Sequence, residues 1–264
     1  MDELIFFDPL FRVPFLNGLV LAVVLSLIGA YLRLRDEWLA AFALAHVAAA
    51  GGVLSIPLGL PLVVTASMAA GVVALVLNLL PRVNNNHYAW TILLGWSAAL
   101  IFAANTHQGT VVAESLLRGQ LYFSHAGHLW AAIALLLLLL VSLPWLSRRL
   151  MTGRFFPDFF SANRLPAWRH RLLFGVLVVF AAVLGTVAMG AVPAFAMFFV
   201  PAWVAFVICS GWMKALALTV LLGVIAYLAG FFFAMQFDQP FGPTLVVALA
   251  ALAPLRLLGR HGRA

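Results

Sequence analysis

Long apolar runs alternate along this chain with short stretches carrying arginine, proline or asparagine. The runs are too long and too uniform to be strands. Their bounds predict membrane-spanning helices near 13–32, 37–59, 62–81, 88–104, 129–147, 171–190, 193–209, 213–235 and 243–259. Each approaches the roughly 20 residues needed to cross a hydrocarbon core about 30 Å thick. Only Pro57 and Pro61 divide the nearly continuous run 37–81, because a proline interrupts a helical pattern. Residues 105–128, NTHQGTVVAESLLRGQLYFSHAGH, are too polar to span and read as an external loop with an amphipathic helix. The predicted fold is therefore all-α: a polytopic transmembrane bundle of about nine spans, with 1–264 forming one domain.

Charge gives this pattern a direction. Cytoplasmic segments attract Lys and Arg. With nine spans and the C-terminus inside, that side collects Arg33, Arg35, Arg82, Arg148, Arg149, Arg154, Arg164, Arg169, Arg171, Lys214, Arg256, Arg260 and Arg263, leaving only Arg12 and Arg118 outside. Merging or splitting one early helix would invert one side of the change and weaken the asymmetry. An N-outside, C-inside arrangement follows. The net charge of +7 is thus a matter of topology, since no contiguous basic patch interleaved with aromatics suggests nucleic acid. The 264 residues are 65% hydrophobic and 9% charged, with a mean hydropathy of +1.10, far from the roughly 25% charge of soluble domains. The single Cys209 cannot form an intrachain disulfide, and the acidic start, MDELIFFDPLFRVPF, lacks the basic region of a cleaved signal.

Ionisable groups inside a membrane are costly and become functional candidates. His46, in AFALAHVAAAGG, lies nine residues after Glu37, or about 13.5 Å along a helix, close to mid-membrane. Its imidazole could hold zinc, iron or nickel or relay a proton; equally, it could be a packed histidine bonded to a backbone carbonyl. The neighbouring alanines and glycines allow close helix packing or leave room for a pathway. His125 and His128, three apart near Glu114, could capture a metal at the external mouth, although loop solvation is the simpler account. His87, His170 and His261 fall on the cytoplasmic side by the charge count and read as polar loop residues. Segment 147–171 carries six arginines among phenylalanines and reads as a basic interfacial loop or a docking element, with a short helix from Asp158 to Leu165 between Pro157 and Pro166. Enzyme motifs such as HExxH, GxSxG and GxxxxGK[ST] do not occur. The external residues Asp2, Glu3, Asp8, Glu114 and Asp238 give that side a mildly acidic balance favouring cations.

Three stretches make the chain resemble the membrane permeases of ABC importers for zinc, manganese or iron. LRLRDEWLAAFALAHVAAAGG supplies Arg35, Leu44, Ala45, His46 and Gly51 of an arginine-led pattern ending in histidine and small residues. MGAVPAFAMFFVPAWVAF supplies Gly190, Pro201 and Ala202 of a Gly…Pro-Ala-Ala stretch. FDQPFGPTLVVALAA supplies Asp238, Pro240, Gly242 and Pro243 of a turn entering the last helix. Three positions depart from the family pattern. Phe42 replaces an aspartate one helical turn before the histidine, Trp203 replaces the second alanine, and Phe206 replaces an arginine.

The resemblance implies a multi-pass permease of a bacterial-type cytoplasmic (inner) membrane that pairs with a second copy of itself. It implies cytoplasmic ATP-binding cassette subunits docked through 147–171, with Phe156, Asp158, Phe159 and Arg164 as contact residues, and an extracytoplasmic metal-binding protein delivering the ion. ATP would be used by the partner subunit, and no cofactor would be bound in-chain. His46 would line the path of a transported divalent metal, and losing the carboxylate disfavours manganese relative to zinc, another imidazole-preferring ion or a metal held in a chelate. Two other readings remain at this point: a non-transporting membrane scaffold or binding subunit, and an ion-coupled secondary carrier.

Overall fold

The computed structural model describes residues 9–80, 83–156 and 158–259. The helices run α1 (Pro9–Arg35), α2 (Ala40–Val53), α3 (Ser55–Leu58), α4 (Leu62–Leu79), α5 (Asn85–Ala104), α6 (Gly109–Arg118), α7 (Ala126–Phe155), α8 (Phe159–Ala162), α9 (Trp168–Met189), α10 (Ala191–Ile208), α11 (Trp212–Gln236) and α12 (Phe241–Ala250); 3-10 turns cover Leu121–Phe123 and Ala253–Gly259. Among the described residues there is no strand, so the molecule is an all-α polytopic bundle. Seven helices are long and apolar enough to cross a membrane, while α2 and the Phe241–Leu257 segment are shorter apolar helices.

Local chemistry sets the ends. Proline is well placed in the first turn of α1, where its missing N–H loses no helical bond. The helix stops at Asp36, which adopts a left-handed φ of 61°; the Glu37 N–H then donates to Leu32 O at 3.0 Å and the Asp36 N–H to Arg33 O at 3.2 Å. This is the two-bond pattern of a Schellman cap. Asn85, at the start of α5, holds the following turn by donating to Asp36 O at 2.9 Å and accepting from the Leu39 N–H at 3.4 Å. The Asn84 side chain caps α5 by accepting from the Asn86 and His87 N–H groups, which otherwise lack partners at a helix start.

Lipid and protein divide the helix faces. The most apolar windows of α1 and α9 are each 67% buried, against 22% for α4, α5 and α7. Helices α1 and α9 are therefore central and the other three peripheral. Exposed side chains such as Val72, Leu94 and Val141 on the peripheral helices suit a lipid environment as apolar as themselves.

Three expectations need correction. The segment predicted as one span over 37–59 is a 14-residue helix, α2, followed by the short α3, which ends at Gly59 with φ 63°. At about 1.5 Å per residue α2 is about 21 Å long, less than the membrane core. The loop expected over 147–171 is mostly helix, because α7 extends to Phe155 and α9 begins at Trp168; only α8, one turn long, lies between them, where a helix over 158–165 was expected. His170 was read as a polar loop residue, yet it is 3% exposed because Phe160 folds back over its ring at 4.7 Å between centroids. Pro157, Arg82 and His261, together with Asp2, Glu3 and Asp8, lie outside the described residues.

Candidate functional site around His46

Helix α2 packs against α4, α5, α9 and α10, and its small residues make this possible. A Cβ on Gly95 of α5 would stand 3.0 Å from Val47 N and 3.1 Å from His46 C, and one on Gly51 would stand 2.7 Å from Thr65 O of α4. The glycine-tailed run therefore serves close backbone packing.

His46 is 5% exposed, and its Nδ1 lies 2.9 Å from the Phe42 carbonyl oxygen. A carbonyl can only accept, so Nδ1 carries the proton and Nε2 keeps its lone pair. A ligating histidine is commonly oriented in this way, with its other ring nitrogen donating to a backbone carbonyl. The Phe42 ring meets the imidazole edge-on at 4.3 Å, and Trp96 lies 5.6 Å away on α5. The helical face expected to offer a carboxylate thus offers an aromatic ring. Among the described residues, no group of three or more His, Cys, Asp or Glu could hold a metal ion within this chain.

A second feature was missed in the sequence. Phe42 and His46 are one turn apart on α2, with Trp38 in the turn just before it, and Phe195, Phe199 and Trp203 repeat every four residues along α10, so each set forms one stripe. The stripes face each other: Phe42 lies 4.5 Å from Phe195, Trp38 lies 5.3 Å from Phe199, and Phe199 lies 5.8 Å from Trp203. Arg256 ends the row with its guanidinium 3.7 Å from the Trp203 ring centre, a cation–π contact. Trp203, one of the departures from the family pattern, is therefore the platform for this arginine. All five carbon rings are half-buried.

The remaining candidates separate by position. His125 caps α7, with its Nδ1 accepting from the Gly127 N–H at 3.1 Å, and its ring lies 4.0 Å from that of His128. That bond occupies the His125 Nδ1 lone pair, so the structure gives His125 a helix-capping task; the two rings are adjacent, and among the described residues no third ligand joins them. At the loop, Phe156 and Phe159 are 65% and 43% exposed, whereas Phe160 is 6% exposed. Asp158 and Arg164 are exposed beside them, and Arg164 has a left-handed φ of 53°. The exposed pair and the buried anchor thus lie on different faces of the loop.

Gly190 and Gly242, distant in sequence, meet the same backbone. A Cβ on Gly190 would lie 2.5 Å from Leu117 O, and one on Gly242 would lie 2.6 Å from Arg118 O. The motif glycines thus lock the end of α6 to the starts of α10 and α12.

The comparisons agree with this architecture. A model of the ABC 3 transport family matches residues 8–258. The chain is 23% identical over 259 residues to the manganese transport system membrane protein MntC of Halalkalibacterium halodurans, covering 95% of this chain and 89% of that relative. PsaBC from Streptococcus pneumoniae, solved in complex with Fab, superposes with a TM-score of 0.83 at 18% identity, covering 97% of this chain and 95% of that one. An inward-facing transporter described as of the metal-chelate ABC type superposes with a TM-score of 0.67 at 18% identity, over 93% and 85% of the two chains. With a family match over nearly the whole length, this chain belongs to the ABC 3 transport family.

Proposed function

We propose that the chain is the permease subunit of an ABC importer for a divalent transition metal, with zinc as the preferred ion. The observation that carries the choice of ion is the donor set: one buried imidazole with Nδ1 bound to a carbonyl, and Phe42 where a carboxylate would be expected. Manganese favours oxygen ligands, whereas imidazole suits zinc. One imidazole is also too few donors for a divalent ion, which takes at least about three or four ligands, so the site needs further donors from outside the chain. A second copy of the chain, paired through the half-buried aromatic face of α2 and α10, supplies one of them as its own His46. The relative named for manganese supports the competing ion.

ATP hydrolysis belongs to a separate subunit docked on the loop through Phe156, Asp158, Phe159 and Arg164. These residues suit the task because the phenylalanines are exposed while Phe160 anchors the loop from behind. This end faces the cytoplasm of a bacterial inner membrane, and a metal-binding protein delivers the ion to the opposite face. Rigid-body rocking about His46 would then alternate access. Transport by the complex reconstituted in vesicles tests the reading. ATP-dependent accumulation of zinc, with excess manganese a weak competitor, supports it. Preferential manganese accumulation contradicts the choice of ion, and purification without an ATPase contradicts the importer.

A further inference from the structure

A cavity of about 670 Å³ lies at the loop end, between α2, α4, α7 and α9. It is separate from the aromatic face. Leu44 lines it from α2, and Leu44 stands about 200° around the helix from His46. Its lining is mixed: Leu44, Leu77 and Val178 are apolar, Asn78, Asn84 and Tyr88 are polar, and the exposed Arg154 and Arg171 border it. Arg35 also borders it but is already held by a two-pronged bond to Glu37, at 3.0 Å from Nε and 2.7 Å from Nη2. Among the described residues neither Arg154 nor Arg171 pairs with a carboxylate. His170, almost wholly buried, lines the same cavity, and its Nδ1 has no hydrogen-bond partner.

A buried polar atom without a partner is costly, and His170 brings one to the wall of this cavity. Two unpaired guanidiniums beside it select an anion, and arginine matches phosphate with paired donors. The volume suits a small molecule or headgroup. Basic pockets between membrane helices hold phospholipid headgroups in this manner.

We infer that this cavity binds a phosphate-bearing anion, gripped by Arg154 and Arg171, and that the apolar side chains Leu44, Leu77 and Val178 beside them make an anionic phospholipid its occupant. The bound group would tie α9 and the loop anchor Phe160 to α2, which carries His46. The inference does not depend on the transported ion.

Direct binding to the purified full-length chain tests it, by native mass spectrometry with phosphatidylglycerol or phosphatidylcholine and by calorimetry with inorganic phosphate. The expected result is a preference for phosphatidylglycerol of roughly tenfold, lost in the Arg154→Gln/Arg171→Gln variant. Ala74→Phe, which fills the cavity and retains both arginines, should lower occupancy as well. Inorganic phosphate binding that depends on the arginines and displaces phosphatidylglycerol supports the anion site and assigns it a soluble occupant. Equal binding of the two lipids without phosphate binding, or an anion preference that survives the double substitution, overturns the inference.

Discussion

The Nδ1 of His46 lies 2.9 Å from the carbonyl oxygen of Phe42, one turn earlier on α2. The side chain of Phe42 meets the same imidazole edge-on. One residue therefore orients the ring through its backbone and keeps an acidic side chain away from it.

Phe42→Asp restores a carboxylate on the His46 face without touching the carbonyl that orients the ring. It should shift selectivity from zinc towards manganese by roughly tenfold, as a hard oxygen donor and a compensating charge enter the site. Competition between the two ions in vesicle uptake measures the shift. An unchanged ratio would show that position 42 does not face the ion.

The two faces of the loop should separate in mutagenesis. Phe160→Ala removes a ring that is 6% exposed and packed at a tilt against His170, and should cost about 3 kcal/mol of stability. Phe156→Ala changes a side chain that is 65% exposed, and should alter stability by less than about 0.5 kcal/mol while weakening retention of the ATPase. Denaturation of the purified chain and co-purification with the ATPase check the two effects. Equal losses of stability would contradict the division of the loop.

Hydropathy made the apolar helices legible because each run had to match either lipid or the bundle core. It could not separate a charged loop from charged helix ends. Arg148, Arg149 and Arg154 lie on the extension of α7, and Arg169 and Arg171 on the first turn of α9, so the linker is much shorter than its charge run suggested. His170 was misread for a different reason: its burial comes from Phe160 in a separate element, a tertiary contact that composition does not encode. The facing stripes of Trp38, Phe42 and His46 and of Phe195, Phe199 and Trp203 were visible as repeats of four. Their meaning required knowing that α2 packs against α10.

Gly242→Ala tests the lock at the end opposite the loop. The added Cβ would stand 2.6 Å from Arg118 O, a backbone atom with little freedom to yield, and 3.1 Å from Pro193 Cγ. The expected cost is about 1–3 kcal/mol, seen as a lower melting temperature and folded yield. Gly71→Ala is the matched control, since nothing lies within 4 Å of its Cβ position; equal losses from both would remove the packing explanation.

The central claim is that His46 holds the transported ion. ATP-driven zinc uptake by the reconstituted complex, comparing the native chain with His46→Ala, tests it most directly. The account predicts that uptake falls by roughly a hundredfold or more, as expected for loss of a metal ligand rather than of an outer-shell partner, while the permease still assembles and retains its ATPase. Undiminished zinc uptake by a fully assembled His46→Ala complex would contradict it.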